Sequence, residues 1–435
     1  MTRGFNTRSL HAGAEPDPAT GARATPIHQT TSFVFDDADA AAELYALRAE
    51  GHVYSRLSNP TVSVLEDRIA DLSGGSDAVA TASGMAAFDA ITTVLASAGD
   101  NVVASSEMYG GTAAYLTSTA SRRGVETRLV ETLDYDAYAD VIDEDTAFVH
   151  VETVANPSLV VPDFERLAEI AHENAVPLVV DNTFASPYLC RPIEHGADVV
   201  WESTTKWVTG NGTTVGGVVL DGGQFPWDHP DADYDELDGT SPAFPIDFVE
   251  RFGDAAFANV VRQRGVRPTG GQQSPFDAWQ TVQGLNTLPL RMDRHCENAR
   301  AVAEFLRDDD RVGWVTYPGF EDHPSHGNAA EYLDGYGGMV TFGVDGGYEA
   351  AKRLCESVDL TSFLANVGDA KTLVIHPAST THAQMDETQQ RLAGVFPDML
   401  RLSVGIEDPD DVIADLDRGL SAGERGATDG GGRSE

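Results

Sequence analysis

The chain predicts an α/β protein built on a mostly parallel, doubly wound sheet, followed by a smaller α+β region. Seven short apolar runs alternate with amphipathic stretches of helical period, a pattern typical of parallel sheets that are covered on both faces. The runs lie at 77–83, 101–105, 125–130, 147–152, 176–181, 197–201 and 215–220. At 435 residues the chain is also long enough for two units with substantial cores.

Changes in this pattern divide the chain into four parts. Residues 221–260 are rich in Gly, Pro, Asp and aromatics, so we predict a long loop there. After it, long amphipathic helices begin near 275, and strands are predicted near 312–316, 338–344 and 400–405. The predicted parts are an N-terminal arm at 1–50, a large domain at 51–260, a C-terminal α+β domain at 261–420 and a disordered tail at 421–435.

The charge balance is strongly acidic. The chain has 69 Asp and Glu against 29 Lys and Arg, a formal net charge of −40, and its only lysines are Lys206, Lys352 and Lys371. Such a chain repels nucleic acid and anionic membranes, which argues against either as a partner. Strong self-repulsion in a folded protein is tolerated where molar salt shortens the screening length to about 3 Å. The composition therefore predicts adaptation to high salt.

The hydropathy of the chain and its N-terminal residues predict where the protein is located. No apolar run approaches the roughly 18–20 residues that span a bilayer, and the polar start lacks the apolar region of a secretory signal. We therefore expect a cytoplasmic protein.

Cys190, Cys296 and Cys355 are far apart and odd in number, which indicates reduced thiols and neither a metal site nor a disulfide framework.

One lysine stands in a context that suggests chemistry. Lys206 follows the apolar run ADVVW within the segment STTKW. Arginine cannot replace lysine in imine chemistry, because a guanidinium does not deprotonate to a free amine. A surface lysine is the plainer interpretation, but the hydroxyls of Ser203 and Thr205 could hold a phosphate beside an imine.

Three other features complete a cofactor site. Asp181 ends the run VPLVVD, Ser83, Gly84 and Met85 stand at a helix start where N–H groups bind anions, and Tyr109 offers a flat ring. Each has an ordinary alternative as a turn cap, a helix cap or a core residue. Together with a lysine they match pyridoxal 5′-phosphate (PLP), which needs an amine for its aldehyde, an acid for its pyridine nitrogen, phosphate donors and a stacking face.

Over about residues 1–420 the sequence resembles the Cys/Met-metabolism PLP-dependent enzymes of fold type I. That resemblance implies a large domain similar to aspartate aminotransferase, with a mostly parallel seven-stranded sheet, beside a smaller C-terminal α+β domain. The motifs that carry it are VYSRLSNPT (53–61), ASGMAA (82–87), YGGT (109–112), ETVANP (152–157), DNTFASP (181–187), ESTTKW (202–207), NVGDAKTLVIHPASTTH (366–382) and RLSVGIED (401–408).

The resemblance also implies a role for each site residue. Lys206 forms the Schiff base with PLP, Asp181 binds the pyridine nitrogen, Asn156 bonds the phenolic oxygen, and Tyr109 stacks on the ring and assists proton transfer. The other implied residues are Ser83, Gly84, Met85, Ser203 and Thr205 at the phosphate, Tyr54 and Arg56 from a neighbouring subunit, and Arg401, Asn366 and Tyr54 at the substrate. A site shared in this way implies a homo-oligomer, expected to be a dimer of dimers.

Within the family, the chain is most similar to the O-acetylhomoserine sulfhydrylases. Asn366 stands where several relatives have serine, Gly111 stands where the methionine γ-lyases have a thiol, and the insertion 221–260 is absent from the shorter cystathionine enzymes. The implied reaction is γ-replacement on O-acetylhomoserine, with sulfide or methanethiol giving homocysteine or methionine plus acetate. Cystathionine γ-synthase, methionine or cystathionine γ-lyase, and a non-enzymatic binding role remain the alternatives.

Overall fold

The structure, a computed structural model, describes residues 3–232, 234, 237, 246–383, 386–392 and 394–430. Residues 431–435 of the predicted tail and much of 233–245 in the predicted loop lie outside the described residues. In the part of the chain that is described, no helix is both long and apolar enough to cross a bilayer.

The larger sheet has seven strands and confirms the predicted α/β class. They are β1 (Asp77–Thr81), β2 (Asn101–Ser105), β3 (Glu126–Val130), β4 (Thr146–Glu152), β5 (Leu178–Asp181), β6 (Val199–Glu202) and β7 (Gly217–Asp221). Their order is β1-β7-β6-β5-β4-β2-β3. Only β7 is antiparallel to its neighbours, so β1, β2, β4, β5 and β6 all end at one edge of the sheet.

Helices cover both faces of this sheet, which explains why its strands are apolar almost throughout. Val180 and Leu220 face one buried core with Leu65, whereas Val179 and Val219 face the other with Phe88. Burying each of these side chains contributes about 1.5–3 kcal/mol. The alternation follows from the two-residue period of a strand, whose successive side chains point to opposite faces.

The helices follow the predicted alternation closely. The α-helices are Phe5–His11, Ala38–Tyr45, Pro60–Ser73, Gly84–Leu95, Gly110–Ala114, Tyr135–Val141, Phe164–His172, Ser186–Leu189, Phe248–Phe252, Ala256–Val260, Arg267–Thr269, Pro275–Leu285, Leu288–Asp308, His326–Tyr332, Gly347–Ser357, Glu387–Leu392 and Pro409–Gly430. Two π-helical turns span Tyr115–Ala120 and Val261–Val266, and 3₁₀ turns span Pro192–His195, Gly253–Ala255 and Pro377–Ser379.

A second, smaller sheet confirms the predicted α+β region. Its strands are β8 (Val312–Thr316), β9 (Met339–Val344), β10 (Ser362–Phe363), β11 (Leu373–Ile375) and β12 (Met399–Ser403), in the order β10-β11-β12-β9-β8. A separate core holds this sheet to its helices, with Val302, Phe342, Leu354, Leu402 and Leu416 fully buried or nearly so.

Helix packing is continuous across residue 260, where the sequence predicts a domain boundary. Gly265 packs so closely on Ala90 that an added Cβ would lie 2.7 Å from the Ala90 Cβ. Gly284 likewise approaches the carbonyl oxygens of Val208 and Thr209. Residues after 260 therefore pack on the large sheet's helices as well, and the division at 260 stays a prediction.

The segment 221–260 is not one long loop. Two helices form at Phe248–Phe252 and Ala256–Val260, and Trp227 stacks on Phe257 with the ring centroids 5.0 Å apart. The buried Tyr234 hydroxyl donates to the Ala147 carbonyl oxygen at 2.8 Å. The Gly, Pro and Asp content signals irregular backbone, but the aromatic side chains add enough buried apolar area to fix the segment against the sheet's helices.

The last helix continues into the segment for which the sequence predicts disorder. It runs from Pro409 to Gly430, so residues 421–430 are helical. Gly423 lies against the backbone of Ala350, where an added Cβ would be 3.3 Å from the Ala350 carbonyl oxygen, and Arg353 Nη2 donates to the Gly423 carbonyl oxygen at 3.3 Å. Small residues let two helices approach closely, and large apolar anchors are not needed for that contact.

The acidic surface leads to a prediction about salt. Even if all 29 basic residues pair with acids, 40 of the 69 acidic residues are left unpaired (69 − 29 = 40). Their mutual repulsion acts on the folded chain and is screened in molar salt. We propose halophilic adaptation and expect the thermal midpoint to fall by at least about 10 °C between about 2 M and about 0.05 M KCl. A sucrose series at low salt is the control, and an unchanged midpoint at low salt would contradict the proposal.

Candidate active site

Lys206 lies in a tight turn after β6, at the edge where the parallel strands end. Its N–H donates to the Ser203 carbonyl oxygen at 3.1 Å, and its carbonyl oxygen accepts from Gly210 N–H at 2.8 Å. The Lys206 Nζ donates to Asn366 Oδ1 at 2.6 Å. Gly368 makes this contact possible: its φ is +73°, and an added Cβ would lie 2.8 Å from the Lys206 carbonyl carbon.

The surroundings of the Lys206 amine favour its neutral form. Burial, together with the positive charge of Arg401, lowers the pKa of Lys206 from 10.5 to about 8. An amine with this pKa is partly unprotonated near neutral pH. It can therefore attack an aldehyde and later accept a proton.

This shift predicts how the chain takes up PLP. Only the unprotonated amine attacks the aldehyde, so we expect the rate of PLP capture by the cofactor-free chain to rise with pH, with a midpoint near 8. Stopped-flow absorbance across a pH series measures this rate. Free lysine under the same conditions is the reference, and a midpoint near 10.5 for the protein would contradict the account.

Asp181 and Glu152 form a pair of buried carboxyl groups beside the turn. The two residues are paired in register at the ends of β5 and β4, and Asp181 Oδ1 accepts from Thr183 N–H at 2.9 Å. Burial raises the pKa of Asp181 to about 7, and burial together with Asp181 raises the pKa of Glu152. Adjacent buried acids favour a cation between or above them, and a protonated pyridine nitrogen is such a group.

Arg401 and Asn156 meet on the other side of the site. Arg401 projects from β12 of the smaller sheet, and its Nη1 donates to Asn156 Oδ1 at 3.0 Å. A guanidinium can only donate, so the oxygen of the Asn156 amide faces Arg401 and the amide nitrogen is left to donate elsewhere. Burial lowers the pKa of Arg401 to about 10, which still leaves it charged at neutral pH and suited to a carboxylate.

Tyr109 immediately precedes the helix Gly110–Ala114, and its ring is 48% exposed. The ring folds back over Gly111, where an added Cβ would lie 2.3 Å from Tyr109 Cε1. A side chain at position 111 would therefore displace the ring. The phenol is left accessible for contact with a bound molecule, as the stacking role requires.

The candidate anion site lies where the start of the helix Gly84–Leu95 meets the lysine turn. Ser83 caps the helix Gly84–Leu95 by accepting from Ala86 N–H, and an added Cβ on Gly84 would lie 2.8 Å from Ser203 Cβ. Thr205 Oγ1 exchanges hydrogen bonds with the backbone of Gly216 at 3.1 and 3.0 Å. The glycine brings the helix start beside the lysine turn, so N–H groups and hydroxyls converge there. Met85 follows in the same helix and packs on the core beneath it.

Tyr54 and Arg56 line a surface pocket whose lining includes none of the residues above. Phe33, Phe35 and Arg267 also line this pocket, and the Arg56 guanidinium sits 5.4 Å from the centroid of the Tyr54 ring. Arg56 Nη1 donates to the Arg267 carbonyl oxygen at 2.5 Å. The described residues show no hydrogen bond from either side chain to the Lys206 turn. Their predicted place in a neighbouring subunit's site stays a prediction.

Two buried residues of the site, Glu152 and Arg291, were missed from the sequence, as was Glu202, a buried acid whose side-chain hydrogen bond goes to Asn182, outside the site. Glu152 ends the run 147–152 as Asp181 ends its own, so the same argument could have found it. Glu202 ends β6 and accepts from Asn182 Nδ2 at 2.9 Å. Arg291 donates to the carbonyl oxygens of Trp207 and Val208 in the lysine turn, at 2.7 and 3.1 Å. Nothing local marks Arg291 as a residue of the lysine turn, because these two carbonyl partners are more than 80 residues away.

The predicted residues thus fit PLP. A half-buried amine, a buried acid, a candidate anion site beside Gly84 and an exposed phenol lie around one edge of the larger sheet. An amide from the loop after β4 and a guanidinium from β12 of the smaller sheet face them. This edge, where parallel strands end, is also where open α/β sheets bind ligands.

Comparison with known proteins agrees with this geometry. A sequence model of the Cys/Met metabolism PLP-dependent enzymes matches residues 6–421. The homocysteine synthase of Schizosaccharomyces pombe is 48% identical over 419 residues, covering 96% of this chain and 98% of that protein. The O-acetyl-L-homoserine sulfhydrylase 1 of Thermus thermophilus is 46% identical over 421 residues, covering 96% and 100%.

A solved structure is similar as well. A Campylobacter jejuni chain assigned as an O-acetylhomoserine (thiol)-lyase superposes with a TM-score of 0.93 at 34% identity, covering 96% of this chain and 100% of that one. That chain carries N′-pyridoxyl-lysine-5′-monophosphate. The fold and the matched sequence together show that the chain described here belongs to the Cys/Met-metabolism family of PLP-dependent enzymes, of fold type I.

Proposed function

We propose that this chain catalyses γ-replacement on O-acetylhomoserine, with sulfide or methanethiol giving homocysteine or methionine plus acetate. The observation that carries the proposal is likeness along nearly the whole chain to relatives named homocysteine synthase and O-acetylhomoserine sulfhydrylase, at 43–48% identity. The contact between Lys206 and Asn366, the residue that separates this type from serine-bearing relatives, supports it.

The site residues divide the work of this reaction. Bound at Lys206, PLP would supply an electron sink for the carbanion at the substrate Cα. Arg401 binds the substrate carboxylate. Its guanidinium carries the opposite charge and can donate two parallel N–H···O bonds to the two carboxylate oxygens. Asp181 keeps the pyridine nitrogen protonated by pairing with it.

Lys206 transfers the protons, and Tyr109 assists it. The Lys206 amine, with its lowered pKa, accepts the Cα proton and can return it. A second proton leaves Cβ, the Cγ–O bond breaks to release acetate, and a thiol or sulfide forms the new Cγ–S bond as a proton returns to Cβ. Net exchange is thus one acetate for one sulfur nucleophile, with no oxidation.

Product analysis tests the proposal. The purified chain is incubated with O-acetylhomoserine and, in turn, sulfide, methanethiol, cysteine or water, and the products are identified by mass spectrometry. We expect homocysteine and methionine from the first two. Cystathionine as the main product would instead indicate a cystathionine γ-synthase, and keto acid with ammonia in water alone would indicate a γ-lyase. O-succinylhomoserine in parallel reactions fixes the acyl preference.

We also propose a cytoplasmic homo-oligomer, a dimer of dimers, in which Tyr54 and Arg56 complete the site of a neighbouring subunit. Their place in a surface pocket whose lining does not include Lys206 supports this. Subunit mixing tests it. Combining inactive Tyr54→Ala and Lys206→Ala chains should restore activity, because a mixed dimer has one site with both residues intact. No recovery from well-mixed oligomers would contradict it.

A further inference from the structure

One carboxylate of the site has no role in the reaction described above. Glu152 ends β4, and its side chain is 4% exposed. Its Oε1 accepts from the backbone N–H of Tyr109 at 2.6 Å, and its Oε2 accepts from the backbone N–H of Asn156 at 2.8 Å. Both distances are shorter than the usual 2.9–3.0 Å of N–H···O bonds, so each oxygen of the carboxyl group holds one backbone N–H.

These two bonds join loops that leave neighbouring strands. Tyr109 follows β2 and Asn156 follows β4, and the two strands are parallel partners in the larger sheet. Asn156 in turn holds Arg401 through its amide oxygen. A single carboxylate therefore connects the phenol, the amide and, through the amide, the guanidinium.

We propose that Glu152 is a positioning residue, which fixes Tyr109 and Asn156 around the cofactor ring by accepting one backbone N–H from each. The inference rests on the proposed function, because it assumes that these two side chains contact PLP. Glu152 itself need not touch cofactor or substrate. Its position beside Asp181 explains why it is close enough to the ring site to order both loops.

Replacing Glu152 with glutamine should break one of its two hydrogen bonds to backbone N–H groups and keep the other. An amide has one carbonyl oxygen, so Glu152→Gln can serve one backbone N–H and must turn its own NH₂ toward the other. The matched control is Glu202→Gln. Glu202 is an equally buried acid at the end of β6, but it accepts from Asn182 and not from either loop. Burial raises its pKa to about 8, so it carries a proton near neutral pH and resembles glutamine in charge.

The test measures the affinity for PLP. The cofactor is removed from wild type and each variant, PLP is titrated back, and the Kd is read from the visible band of the lysine-bound cofactor. We expect Glu152→Gln to raise the Kd for PLP at least about tenfold and Glu202→Gln to change it less than about threefold. The thermal midpoints of the cofactor-free chains show whether folding has changed.

A double-mutant cycle distinguishes positioning from general structural damage. If Glu152 acts through Tyr109 and Asn156, Glu152→Gln should raise the Kd for PLP less than about threefold in a chain where Tyr109 and Asn156 are both replaced by alanine. The inference would be overturned if Glu152→Gln raised the Kd for PLP equally in wild type and in the double alanine variant. It would also be overturned if Glu152→Gln and Glu202→Gln raised the Kd equally in wild type. If Glu152→Gln does not fold, Glu152→Asp, one methylene too short to reach both N–H groups, takes its place in the same cycle. A wild-type chain with no lysine-bound band would overturn the proposed function instead.

Discussion

Lys206→Ala should lower kcat/KM for O-acetylhomoserine at least about 10⁴-fold, because it removes both the amine that binds PLP and the base that moves the Cα proton. The Lys206 Nζ donates to Asn366 and has its pKa lowered to about 8, and the turn contains no other lysine that could supply an unprotonated amine. Steady-state kinetics with excess PLP measure the loss.

Two variants act as controls for Lys206→Ala. Lys352→Ala removes an exposed lysine and should keep full activity. Lys206→Arg keeps the charge and much of the length, but a guanidinium does not deprotonate, so it should be as inactive as the alanine variant. Substantial activity in Lys206→Arg would show that the charge matters and the free amine does not, which would contradict the assigned role.

Asp181→Asn should lower kcat by about 10²–10³-fold and weaken PLP binding, because an amide cannot pair with a protonated pyridine nitrogen. The substitution keeps the size of the side chain and can keep the acceptor for Thr183 N–H. The loss should therefore fall on the chemical step more than on folding, and it is measured by kcat together with the Kd for PLP.

Asp221→Asn is the matched control for Asp181→Asn. Asp221 is also buried, and burial also raises its pKa to about 7. It pairs with Asp77 and Val199 at the opposite edge of the larger sheet, because β7 runs against its neighbours. It should leave kcat within about threefold of wild type and change only stability. Equal losses of kcat in the two variants would contradict the role of Asp181.

Much of the site could be predicted because strand ends are visible in the sequence. The run VPLVVD is apolar up to its last residue, and a parallel strand places that residue at the ligand-binding edge. Asp181, Lys206 and the helix start at Gly84 all follow such runs. Because parallel strands end at the same edge of a sheet, the predicted sheet is enough to place these three features near one another.

Contacts between distant residues could not be predicted in this way. Glu152 acts on backbone N–H groups, which carry no sequence signal, and Arg291 binds carbonyl oxygens more than 80 residues away. The segment 221–260 shows a related limit. Its composition predicts irregular backbone, whereas the burial of Trp227 and Tyr234 depends on surfaces formed elsewhere in the chain.

The chain's small number of lysines makes the central claim directly measurable. Borohydride reduction of the holoenzyme, followed by proteolysis and mass spectrometry, locates the lysine that holds PLP. The account predicts a phosphopyridoxyl group on the peptide that contains Lys206, with Lys352 and Lys371 unmodified. A label on either of those two lysines, or no label on Lys206, would contradict it.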